Sequence, residues 1–196
     1  PILKLPPIIR LIGAAIILTH LCKLFFLNWQ NVSIARFGGF TPFSWEIPKL
    51  FNIEVVLTSI TYSYLHANAY HLLINFFFLI AFGTAIARRM SAAAFLILYT
   101  TSGMFSAYFW MVFNWGENTS LIGASGSLSG ILGVLVRISV TPKYAFDFPQ
   151  PIMPPSTAKS FGLLWVGTNL MLWFFETVLP RAVSYTHLRA HETTNY

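Results

Sequence analysis

Apolar residues along this chain do not alternate with polar ones; they come in long blocks separated by short clusters of Gly, Pro and charge. The first block, Ile8 to Leu27, holds about 20 residues, which as a helix would reach about 30 Å, the thickness of a bilayer's hydrocarbon core. Arg10 and Lys23 lie toward its ends, where long side chains can reach the interface, and His20 reads as a satisfied or interfacial histidine. Hydropathy then falls from Asn28 to about Val56, and Gly38, Gly39, Pro42 and Pro48 oppose a continuous helix. Trp29, Phe37, Phe40, Phe43, Trp45 and Phe51 are interleaved with these breakers, so the pattern predicts one long connection lying in the membrane interface.

Four further blocks follow. The second runs from about Tyr64 to Ala87 and is ended by Arg88 and Arg89; the third, Ser91 to Phe113, closes at Asn114, Trp115 and Gly116. The fourth is Ile122 to Val140, and the fifth runs from about Lys159 to Leu179, stopping at Pro180. Between these last two, Pro142, Pro149, Pro151, Pro154 and Pro155 predict an extended loop over Thr141 to Thr157. The expected fold is therefore an all-α membrane bundle with five transmembrane helices.

Composition supports this class. Charged residues make up only 9% of the chain, against about 25% in soluble domains. The net charge of +6 could suggest nucleic acid, but the cations flank apolar blocks, which topology explains and nucleic-acid binding does not. Lys4, Arg10, Arg88, Arg89, Arg137, Lys143 and Lys159 fall on one side of the five-span arrangement, and Lys23, Arg36 and Lys49 on the other. Seven against three predicts a cytoplasmic N-terminus. Cys22 is alone, which excludes an internal disulfide, and the chain opens on Pro1, which reads as a fragment edge.

Candidate chemistry concentrates in two places. Leu121 to Gly133 reads LIGASGSLSGILG, with Ser125 set between Gly123 and Gly126 at the head of an apolar run. The first N–H groups of a helix lack intrahelical partners, and the helix dipole adds positive charge there, so a developing oxyanion beside Ser125 would be stabilised. The competing interpretation is packing: Gly126 with Gly130, and Ser129 with Gly133, form the small-xxx-small pattern of close membrane helices. In the second block His71 and Asn75 are four apart and share a helix face, either as interhelical hydrogen-bonding groups or as part of a wet interior site. A metal site is disfavoured, since His66, His71 and Asn75 offer too few good ligands and no acidic residue lies near them. No cofactor is expected.

His66, His71 and Asn75, at spacings of five and four, followed by Gly-Ala-Ser-Gly at 123 to 126, resemble the rhomboid intramembrane serine proteases, and the resemblance extends over most of the chain. It implies a six-helix bundle around a water-filled cavity that opens outward. Ser125 would be the nucleophile; His71 and Asn75, with the Ser125 backbone amide, would form the oxyanion hole; Gly123, Gly126 and His66 would support it. Substrates would be single membrane helices, cleaved where small or helix-breaking residues let the strand unwind, and the setting a bacterial inner membrane. Five positions depart from the common pattern: Tyr62 in place of a further histidine, Ala87 in place of a glutamate, Leu57 and Thr58 in place of a Trp-Arg pair, and Ser129 in place of a tyrosine.

The family's base is a histidine on a sixth span, in an Ala-His-x-x-Gly setting. After about Val183 the composition shifts to SYTHLRAHETTNY, which has no apolar span and reads as translated sequencing-adapter sequence. His191 follows Ala190, but Thr194 stands where the glycine would be, and His187 has no better setting. The expectation is a rhomboid-like domain over 1–183, a foreign tail over 184–196, and a chain inactive as written because the helix with the base is missing. Two other functions compete with the endopeptidase: a pseudoprotease that binds membrane helices without cleaving them, and a small transporter or channel. The latter predicts mid-span charges that spans two to five lack, Glu176 lying near an end.

Overall fold

The computed structural model describes residues 4–26, 38–41, 52–115, 119–141 and 152–171. The described residues are helical, apart from turns and one isolated bridge. Two compact units divide the chain, 1–138 and 139–196.

In the first unit, α1 spans Pro7–Phe26. Its Gly13 lies so close to Phe76 that a Cβ there would stand 2.8 Å from the ring. A short α2, Ile53–Thr61, is capped by Asn52, whose side chain accepts from the Glu54 N–H. This corrects the expectation of a single loop to Val56: the cap and the apolar run Ile53, Val55, Val56 start a helix before the second long block. One 3-10 turn, Tyr62–Tyr64, leads through Leu65 and His66 to α3, Ala69–Ala87, so the membrane-length helix begins five residues later than Tyr64. Within α3, Leu79–Gly83 is π-helical. Gly83 lies there against Ile9 of α1.

Ser91 caps α4, Ala92–Phe113, by accepting from the Ala94 N–H, where the sequence pattern places the third block. The fourth block becomes α5, Ser125–Val140, with Ile122, Gly123 and Ala124 outside the helix. α1, α3 and α4 are each long and apolar enough to cross a membrane; α5 is apolar but shorter.

The packing of α4 on α5 is set by small residues. A Cβ on Gly130 would stand 1.9 Å from Ser102 Oγ and 2.3 Å from Ser102 Cβ; one on Gly126 would stand 2.6 Å from Ser106 Cβ; one on Gly103 would stand 2.6 Å from Ser127 Oγ. Backbones this close gain dispersion contacts that larger side chains would block. Ser129 and Gly133 do not share this face. Ser129 is exposed, and nothing described lies within 4 Å of a Cβ built on Gly133. The packing pattern thus holds for Gly126 and Gly130 alone, because the second pair points off the α4 side of the helix.

The interfacial connection needs a second correction. Phe40 is fully buried in a cluster with Val55, Tyr62, Ala107 and Met111, and its ring meets Tyr108 edge-on at 5.6 Å. Its backbone pairs with Leu121 in both directions, at 3.1 and 2.8 Å. Burial of an aromatic ring against α2 and α4 outweighs an interfacial position. Trp29, Phe37, Phe43, Trp45 and Phe51 lie outside the described residues.

In the second unit, a helix, α6, covers 155–171. Pro155 to Thr157 therefore belong to its first turn and not to the preceding loop: Pro at a first helical position has no N–H to lose, and the Ala158 N–H bonds the Pro154 carbonyl at 3.0 Å. The fifth block beyond residue 171, and the tail from 184, lie outside the described residues.

Candidate active site

Ser125 opens α5, and the turn that delivers it depends on Gly123. Gly123 has φ +116°, a conformation L side chains rarely adopt, and its N–H bonds the Tyr62 carbonyl at 3.0 Å. The absent side chain matters as much as the backbone angle. A Cβ on Gly123 would stand 2.7 Å from both Cε1 and Nε2 of His71, so the imidazole occupies the space a side chain would need. His71 and the turn into Ser125 thus meet in one place, though 54 residues separate the two side chains in sequence.

His71 is held from two sides. Asn68 caps α3 by accepting from the His71 N–H at 2.9 Å, fixing the backbone from which the ring projects. The His66 ring lies edge-on to it, centroids 5.1 Å apart. His66 is buried, and neither of its ring nitrogens has a hydrogen-bond partner among the described residues. Its contact with His71 is therefore one of ring packing.

One turn along α3, Asn75 is buried and its Nδ2 donates to the His71 carbonyl at 2.9 Å. An amide carries two N–H donors, so this back-bond commits one and leaves a second. The hydroxyl of Ser129 likewise donates to the Ser125 carbonyl at 2.7 Å. The first N–H groups of α5, by contrast, precede any intrahelical acceptor.

Gly126 permits a further approach. A Cβ there would stand 2.6 Å from the Tyr62 hydroxyl, which donates to the Gly103 carbonyl at 2.8 Å. Burial pushes the Tyr62 pKa up to about 12, keeping the phenol a donor. Tyr62 therefore ties the turn before α3 to α4 and, through its carbonyl, to Gly123. The departure at position 62 has a structural use.

Sequence reasoning missed the parts played by Lys23, Asn68 and Phe40. Lys23 does not reach the interface. It is buried, and its ammonium donates to the carbonyls of His66 and Ala67, the latter at 2.7 Å. His20 is also buried rather than interfacial, and its Nδ1 has no hydrogen-bond partner among the described residues. Asn68, three before His71, carries the spacing of an N-cap and was legible; Phe40, which pairs with Leu121 in the segment leading to Gly123, carried no local signal. No group of three or more His, Cys, Asp or Glu able to hold a metal occurs among the described residues.

A family model described as Rhomboid domain matches residues 54–190, and no curated protein matches the chain. The matched stretch includes His66, His71, Asn75 and the Gly123–Gly126 turn. Because it covers well over half of the chain, and three apolar helices of membrane length lie among the described residues, this integral membrane protein belongs to the rhomboid family, a family of intramembrane proteases.

Proposed function

We propose that the chain is an intramembrane serine endopeptidase, with Ser125 attacking a peptide carbonyl of a membrane-spanning substrate. The observation that carries this reading is the His71 imidazole seated against Gly123, two residues before Ser125. A serine with a glycine turn needs only helix packing to explain it. A histidine ring filling the space of the missing Cβ is a donor held beside the helix N-terminus, where negative charge is stabilised.

In this reading the Ser125 proton passes to a histidine base outside the described residues as Oγ bonds the substrate carbonyl carbon. The resulting oxyanion is met by the Ser125 N–H, His71 and the second N–H of Asn75. Collapse of the tetrahedral species breaks the C–N bond, the base returns its proton to the leaving amine, and water then releases the acyl group by the same steps in reverse order. Gly123, Gly126 and His66 hold the parts in place. The substrates are transmembrane protein helices in a lipid bilayer. The site opens toward the outer leaflet of a bacterial inner membrane, the N-terminus is cytoplasmic, the rhomboid-like domain covers 1–183, and 184–196 is foreign to it.

Labelling of the native-length protein with a serine-directed fluorophosphonate tests the assignment. The wild type is expected to label and Ser125→Ala not to. Wild type that ignores the probe in both detergent and lipid, while binding membrane helices, would make the chain a pseudoprotease.

A further inference from the structure

A lysine on a membrane-crossing helix is expensive to bury, and Lys23 is 5% exposed. Its position explains why it stays. His66 and Ala67 fall between the 3-10 turn that ends at Tyr64 and the start of α3 at Ala69, so helical pairing is not available to their carbonyls. The Lys23 ammonium donates to both. Hydrogen bonds from an ionised donor are about twice as strong as neutral ones, and both acceptors lie in one short turn.

That turn is the mounting of the His71 ring. Its first residue, His66, supplies the ring that backs His71; its last, Asn68, caps the helix by accepting from the His71 N–H. Motion of the 66–68 backbone would shift both supports together, and with them the imidazole against Gly123. We infer that Lys23 is a positioning residue: from α1, a helix that carries none of the reacting groups, it anchors the 66–68 turn and so sets the place of the His71 donor. The inference rests on the reading of Ser125 as a nucleophile only for its catalytic consequence; the anchoring itself does not.

The test compares Lys23→Met, Lys23→Gln and Lys23→Arg in the native-length protein in lipid nanodiscs. Lys23→Gln keeps a neutral donor and stands in should the Met variant not fold. Amide hydrogen exchange over 66–72 is expected to quicken about tenfold or more in the Met and Gln variants, to stay near wild type in the Arg variant, and to be unchanged over 102–130. Fluorophosphonate labelling of Ser125 should lose maximal rate with little change in half-saturating probe concentration, and Arg should restore it. Exchange that stays at the wild-type rate over 66–72, or that quickens equally over 102–130, overturns the anchor whatever Ser125 does. A wild type that does not label, with its 66–72 protection lost only in the Met and Gln variants, overturns the hydrolase reading and keeps the anchor.

Discussion

Gly130→Ala is the substitution whose outcome the α4–α5 interface specifies most closely. An alanine Cβ there would stand 2.3 Å from Ser102 Cβ and 1.9 Å from its Oγ, where ordinary van der Waals contact begins at 3.4 Å. Rotating the hydroxyl relieves the second clash and leaves the first. The helices must part by about 1 Å or more, which also loosens Gly126 from Ser106 and Gly103 from Ser127. A clash this close falls in the upper part of the range for overpacking, about 2–3 kcal/mol, and alanine's better helix propensity returns about 1 kcal/mol, so the net loss is about 1–2 kcal/mol. Gly133→Ala, with none of the described residues within 4 Å of the new Cβ, keeps only the propensity and should be neutral or slightly stabilising. Thermal unfolding in detergent, followed by reaction of a thiol dye with Cys22, the free cysteine of α1, should place Gly130→Ala about 2–8 °C below wild type and Gly133→Ala at or above it. Adding Ser102→Gly to Gly130→Ala removes the clashing Cβ and should recover most of the loss, whereas Ser102→Ala keeps that Cβ and should not. Equal melting of the two glycine variants, or failure of Ser102→Gly to recover Gly130→Ala, would refute the close approach of these helices.

Three other outcomes follow from the site and its surroundings. Gly123→Ala combines a left-handed backbone with a Cβ 2.7 Å from the His71 ring; fluorophosphonate labelling of Ser125 should fall about 100-fold or more while far-ultraviolet circular dichroism stays helical. Phe40→Ala empties the centre of the cluster formed with Val55, Tyr62 and Met111 and should destabilise by about 3–5 kcal/mol, read as lost melting temperature and faster proteolysis. Tyr62→Phe leaves the Gly103 carbonyl without its phenol donor and should cost about 1–2 kcal/mol in the same melting assay, with labelling retained.

The family, the membrane class and the approximate spans were legible because they rest on local quantities. Twenty apolar residues in a row have one stable use, and Ser91 and Arg88 mark the ends of their blocks by capping and charge. Boundaries were less legible where a local competitor intervened. The first turn of α2, Ile53 to Val56, was absorbed into a loop because Pro42 and Pro48 dominate the composition upstream, and α5 starts at Ser125 because the backbone at Gly123 takes a left-handed angle that ends the run of regular structure.

The candidate site divides along the same line. Sequence alone determined which residue types are present and that His71 and Asn75 share a face, since helical periodicity places them there without help from the rest of the chain. Only the tertiary structure decided that the imidazole fills the space beside Gly123, that Phe40 leaves the interface for the core, and that Lys23 turns inward to two carbonyls. Each of these joins segments separated by 40 residues or more, from Lys23 to Ala67, from Phe40 to Leu121, from His71 to Gly123. Such contacts form because a buried polar or aromatic group must find a partner somewhere in the folded chain, and no pattern of neighbours in sequence says which.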